Sequence, residues 1–281
     1  MYDAAYRSDG AVLQRASGAL ALRFRARDER TVLDDLRQDG CLKARFPRSF
    51  QAGWAEAAML NIGGGVAAGD RLDVAVTVEA GARVTLAAQA AERFYRALPG
   101  ASPCVVRNAV SVADGAVLEW LPQETILFDR AALDRRLEAE LEEGARFLAV
   151  ESLVFGRAAM GEVVEHAWLR DLIRIRRAGR LLLHDAIRME GEIAAALERR
   201  AVGNGARAVA TLVLVAPEAE TMCDPLRAAL ADAPAECGVS AWDGMLVSRF
   251  VAADGARLRA SVIAGLSCLR EGRALPRVWM C

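Results

Sequence analysis

The 281 residues are 54% hydrophobic, enough to bury a sizeable core in one large domain or two small ones. With 36 basic and 37 acidic side chains the formal charge is −1, so no long-range field draws the chain to nucleic acid or to an anionic membrane. Six scattered cysteines without a CxxC pair argue against a disulfide framework. Met1 to Arg30 lacks the continuous apolar core of a signal peptide, and the longest apolar run, Ala208 to Ala216, is too short to span a bilayer; the expected location is the cytoplasm.

In chain order, the first strong signal is the glycine-rich stretch Asn61-Ile62-Gly63-Gly64-Gly65-Val66-Ala67-Ala68-Gly69-Asp70. A phosphate-cradling loop opens a helix and is followed by Lys-Ser or Lys-Thr, whereas this one precedes a strand. Consecutive glycines suit a sharp crossover in which two backbones approach closely. Asp70 then either caps that turn or faces a cavity.

From here the dominant period is two: Val74, Val76 and Val78 alternate with Asp73, Ala75, Thr77 and Glu79. Similar runs at Arg83 to Ala87, Val105 to Val112, Ala116 to Leu121, Leu137 to Leu141, Arg146 to Val154, Trp168 to Arg176 and Leu181 to Arg188 predict further strands, read as antiparallel β. A turn ending in Gly followed by a strand recurs at Gly81, Gly115, Gly144 and Gly179, at spacings of 34, 29 and 35 residues. Successive layers of a stacked sheet would repeat in this way, although Gly-Ala turns are common in any alanine-rich β protein.

Between these strands, Gln89 to Arg96 gathers two arginines, a carboxylate and two aromatics. Arg93, Phe94, Tyr95 and Arg96 are residue types that anchor protein interfaces, so this segment is a candidate docking surface. Trp120 to Asp129 passes through a proline break, with Glu124 and Asp129 flanking an apolar stretch. Glu92, Glu124, Glu151 and Asp185 each follow their own Gly-initiated strand, by eleven, nine, seven and six residues. If the strands stack, these acids line one edge as weak, exchangeable oxygen ligands for a divalent ion; otherwise they are solvated surface residues.

The two histidines, His166 and His184, are too few for a histidine-rich metal store or a three-histidine zinc site. His166 could share a metal with Glu162 or merely end a strand. His184 and Asp185 point to opposite faces if their segment is a strand, which argues against a dyad, and no nucleophile is visible. After Gly191 the pattern turns mixed, with helical signals at Ala219 to Leu230 and Arg257 to Arg270 and strands at Arg207 to Val215 and Met245 to Val251. Asn204-Gly205 and Asp254-Gly255 supply turns. The expected organisation is one domain over residues 1–281: a mainly β body of stacked antiparallel, β-helix-like sheets over roughly 10–190, closed by a small α/β segment over roughly 191–281.

Five segments in order, Asn61 to Leu72 (NIGGGVAAGDRL), Gln89 to Arg96 (QAAERFYR), Trp120 to Asp129 (WLPQETILFD), Glu151 to Glu162 (ESLVFGRAAMGE) and Leu275 to Trp279 (LPRVW), resemble the successive motifs of the UreD family, also called UreH. The resemblance implies a urease accessory scaffold without catalytic chemistry. Such a protein binds UreF and through it the GTPase UreG, and docks on the urease apoprotein to permit nickel insertion. It also implies a β-helix-like fold and an internal polar passage for transient nickel, with no tightly bound cofactor. Carried over by motif, Asp70, Glu92, Glu124, Asp129, Glu151 and Glu162 are the passage candidates, and Arg93, Phe94, Tyr95 and Arg96 the interface candidates. Ala87, Ala88, Ala67 and Ala68 depart from the pattern, which puts in doubt any hydroxyl lining from that strand. Two other readings remain open: an enzyme using the Gly-rich loop with Glu124 as base, and a plain β-solenoid with a dry interior.

Overall fold

The computed structural model describes residues 14–49, 51–157 and 160–280. Residues 1–13 of the amino-terminal stretch, Ala158 and Ala159 within the Glu151 to Glu162 motif, and Cys281 lie outside the described residues.

Two mixed β-sheets form the body. The strands are β1 (Ser17–Arg27), β2 (Arg30–Gly40), β3 (Leu42–Arg45), β4 (Ala55–Asn61), β5 (Arg71–Val78), β6 (Arg83–Ala88), β7 (Glu92–Phe94), β8 (Cys104–Val112), β9 (Val117–Leu121), β10 (Thr125–Leu127), β11 (Ala132–Leu141), β12 (Arg146–Phe155), β13 (His166–Arg177) and β14 (Arg180–Glu192). Then come α1 (Ile193–Glu198), β15 (Ala208–Val215), α2 (Cys223–Ala229), β16 (Glu236–Trp242), β17 (Met245–Ala252) and α3 (Gly255–Leu269). One sheet runs β14-β13-β11-β8-β5-β1-β2; the other runs β16-β17-β15-β12-β9-β6-β4-β3, with β7 and β10 attached beside it.

From β4 to β13 the chain alternates between the sheets, adding one strand to each per layer, which is a β-helix-like coil. The glycine repeat marks its corners. Gly81, Gly115 and Gly144 end the turns that carry the chain from β5 to β6, β8 to β9 and β11 to β12. The alanines after them, Ala82, Ala116 and Ala145, are buried and stacked, with Val117 N–H donating to Ala82 O (2.8 Å) and Arg146 N–H to Ala116 O (2.9 Å). Gly179 belongs to a different structure, the β13–β14 hairpin, where Ala178 (φ 48°) and Gly179 (φ 75°) both take positive φ.

Coiling in one sense makes neighbouring layers parallel. β1–β5, β5–β8, β8–β11 and β11–β13 pair in parallel, as do β4–β6, β6–β9 and β9–β12. The expected antiparallel stacking is therefore corrected at the centre of both sheets; antiparallel pairs occur at the margins, β1–β2, β13–β14, β3–β4 and β12–β15–β17–β16. Simple alternation misleads because the outer face of the first sheet is largely uncovered, so its parallel strands alternate, as in β5. The second sheet is covered on its outer face by α2 and α3 around β15 and β17, and β12 is buried almost throughout.

Parity sorts the core. Phe147, Ala149, Leu153 and Phe155 of β12 pack between the sheets with Leu72, Val76, Leu133, Leu137 and Ile175, while Leu148 and Val150 pack outward against Leu258, Val262 and Leu266 of α3. Each fully buried Leu or Phe contributes about 2 kcal/mol. The helix begins where Asp254, predicted as a turn residue, caps it by accepting from Arg257 N–H at 2.8 Å. β15 and β17 continue the second sheet from β12. No helix is long and apolar enough to cross a membrane among the described residues.

Candidate functional site

The four upstream motif segments occupy equivalent positions in successive layers. Residues 62–70 connect β4 to β5, residues 95–103 connect β7 to β8, residues 128–131 connect β10 to β11, and residues 156–165 connect β12 to β13; each returns the chain from the second sheet to the first. A backbone ladder joins them: Tyr95 N–H donates to Val66 O (2.8 Å), Phe128 N–H to Phe94 O (3.0 Å) and Gly156 N–H to Leu127 O (2.8 Å). Val66, Phe94, Leu127 and Phe155 stack beneath as a buried apolar column.

The glycine-rich loop is a crossover, and it opens β5 rather than a helix. Gly65 has φ 143°, and a Cβ there would lie 2.4 Å from the Tyr95 ring. That ring donates its hydroxyl to Gly64 O (2.8 Å) and meets Phe128 edge-on at 5.1 Å. Asp70 is consumed in capping: its carboxylate accepts the N–H groups of Ala67 and Ala16, both at 2.8 Å.

Beneath this edge, between the sheets, lies a cavity of about 360 Å³. Its rim includes the exposed Ile62, Gly64, Gln89 and Arg93; its depth holds Asn108, Thr125, Arg135 and Glu151. Glu92 sits on the wall, accepting from Asn61 Nδ2 at 3.1 Å, and burial raises its carboxyl above the usual range despite that bond. Asn108 is buried and has no hydrogen-bond partner for its amide among the described residues.

At the cavity floor Arg135 holds two acids. Its Nε and Nη2 donate to both oxygens of Asp171 at 2.8 and 2.6 Å, and Nη1 donates to Thr125 Oγ1 at 2.7 Å. Nη1 also lies 2.7 Å from Glu151 Oε2. Burial opposes the guanidinium charge, but Asp171 and Glu151 together outweigh it and raise the Arg135 pKa. Glu151 accepts from the Trp120 indole at 2.9 Å; burial, reinforced by Asp171, raises its carboxyl. On the far side of this group Glu151 and Asp171 border a second, much smaller space of about 10 Å³ that reaches Asp185 and Thr211.

Of the six acids expected along a passage, the structure brings only Glu92 and Glu151 to the cavity. Glu124 faces the opposite side of its sheet and pairs with Arg259 of α3 at 2.9 Å. Asp129 accepts from His166 N–H at 3.0 Å, and Glu162 pairs with Arg157 at 2.7 Å, which with backbone donors holds its carboxyl below the usual range although burial opposes this. Both brace the crossover edge. Among the interface candidates, Arg93, Tyr95 and Arg96 are exposed, but Phe94 is corrected to a core residue of the apolar column, 3% exposed. His184 and Asp185 point to opposite faces, and Asp185 pairs with Arg249 at 2.8 Å. Among the described residues no group of three His, Cys, Asp or Glu is placed to hold a metal ion.

Sequence reading missed Asn108, Arg135 and Asp171. Their signal was present as broken parity: each stands at an inward position between apolar residues, as in Val106-Asn108-Val110, Leu133-Arg135-Leu137 and Leu169-Asp171-Ile173. The tail motif was found, but not its place. Trp279 is buried beside the Trp120 to Asp129 segment, donating its indole N–H to Leu121 O at 3.1 Å, while Gln123 Nε2 donates to Val278 O.

The fold is a mainly β stacked coil whose largely apolar interior holds a cavity with a polar floor beneath a shared crossover edge. The sequence model of the UreD urease accessory protein family matches residues 16–280. The urease accessory protein UreD of Rhizobium leguminosarum bv. trifolii is 45% identical over 266 residues, covering 95% of this chain and 96% of that protein. UreD of Rhodopseudomonas palustris is 42% identical, over 95% and 94%, and UreD 2 of Methylorubrum populi is 45% identical, over 95% and 91%. The chain belongs to the UreD family of urease accessory proteins.

Proposed function

We propose that this chain is a non-catalytic maturation scaffold that docks on the urease apoprotein together with UreF and UreG and assists nickel insertion, conducting the ion between its two sheets. The observation that carries the reading is the inter-sheet cavity, whose mouth lies on the edge where the family motifs stack and whose wall holds Glu92 and Glu151. Its polar donors are carboxylates, amides and a hydroxyl, a set that holds a divalent ion loosely and releases it. A loose hold suits transit and not storage.

The crossover edge is the docking surface in this reading. Ile62, Tyr95, Leu98, Met160 and Val163 are exposed along it, and Arg93 and Arg96 form no ion pair among the described residues, the combination of apolar anchors and free guanidinium groups that interfaces favour. The engagement of the Glu124 carboxylate by Arg259, away from the cavity, supports this reading over one in which Glu124 acts as a general base. The test is co-expression of apo-urease and the other accessory proteins with and without this chain, measuring nickel per active site. Loading should collapse without it; equal loading would end the maturation reading.

A further inference from the structure

The cavity and the small space beyond it share Glu151; Arg135 lines the cavity, and its partner Asp171 lines the small space. All three side chains of the group are almost fully buried, Arg135 and Glu151 at 5% and Asp171 at 6% exposed. A guanidinium in such a place is held by its acids, and the acids by it, since removing either partner leaves a buried charge alone. The hold on the two acids differs. Asp171 receives a two-pronged donation from Nε and Nη2, whereas Glu151 Oε2 lies close to Nη1 without accepting an aligned hydrogen bond. Glu151 is therefore the looser side of the group, and it is the acid that borders both spaces.

We propose that Arg135 is the closed gate of the inter-sheet path: it occupies, as a resident cation, the divalent-cation position that Glu151 and Asp171 would otherwise form, and an ion crosses by displacing it. This rests on the passage reading above. The displaced guanidinium has somewhere to go, because Arg135 also borders the 360 Å³ cavity, which Glu92 and Asn108 line as well. The exchange conserves charge pairing, one cation leaving the acid pair as another arrives. It also prevents two buried carboxylates from trapping the cargo at rest, since an oxygen pair without a resident cation would bind the ion tightly in so dry a place.

The test is equilibrium dialysis of nickel(II) alone against the full-length chain. Arg135→Met should gain a saturable nickel site at least about tenfold tighter than any in the parent chain, and Arg135→Met/Glu151→Gln should lose it again. A folded Arg135→Met protein that binds nickel no better than the parent overturns the proposal. Should Arg135→Met not fold, Arg135→Lys decides: a compact ammonium lacks the planar fork, so nickel binding should rise in part, and an unchanged affinity overturns the gate. Failure of the passage reading is distinct. If nickel delivery to urease is normal when Glu92 and Glu151 are both neutralised, the passage fails, while the nickel gain of Arg135→Met still stands or falls by itself.

Discussion

Arg259 of α3 lies 2.9 Å from Glu124, which precedes β10, across 135 residues of chain, and its guanidinium also covers the Trp279 ring at 4.9 Å. The carboxyl-terminal helix and tail are thus fastened to the connection from β9 to β10, just ahead of the third crossover. A parallel fastening exists further along, where Glu119 is held by Arg270, Arg273 and Thr85.

Glu124→Leu should therefore act on stability. It leaves a partly buried guanidinium without its acid and should cost about 2 kcal/mol, lowering the thermal midpoint by roughly 3 °C. Glu124→Gln, which keeps an acceptor for Arg259, should lose less than half as much. Differential scanning calorimetry of the two variants checks this ordering.

Gly65→Ala should disturb the crossover edge. The added methyl meets the Tyr95 ring, and the φ of 143° is one that side chains rarely adopt. A loss of about 1–3 kcal/mol is expected, together with an altered tyrosine environment at the edge in near-ultraviolet circular dichroism. Gly64→Ala has φ 76° but open space around its Cβ, so it should leave Tyr95 in place.

Glu92 gives a pH dependence with a defined sign. Its folded carboxyl is raised by burial, so the folded chain binds more protons than the unfolded chain above the ordinary glutamate value of about 4.3. The group's contribution to stability is complete below that value and is lost as pH rises through the elevated folded pKa. Urea midpoints across this window should fall more steeply with pH in the parent than in Glu92→Gln; identical slopes would show that the carboxyl is not held in a dry wall.

The strand content was readable because period two survives wherever one sheet face is open, as in β5 and β8. The glycine repeat disclosed the layers, since each corner needs the same turn followed by a small buried residue, met by Ala82, Ala116 and Ala145. Parallel pairing was not readable: the burial alternation of β5 is the same for either direction of its neighbours. β7 and β10, three residues each, are too short to show a period. The floor of the cavity escaped because Arg135 and Asp171 lie in strands that otherwise look amphipathic, and their inward parity is visible only once the sheet faces are known. Glu124 and Glu151 looked equivalent by spacing after a glycine, yet they differ in parity and end on opposite sides of one sheet.

The most direct test of nickel transit between the sheets is nickel per active site in urease matured with a Glu92→Gln/Glu151→Gln chain, alongside a pull-down of the accessory complex. Loading should fall several-fold while the complex still assembles, because the crossover edge is untouched. Full loading with both wall acids neutralised would contradict transit through this cavity.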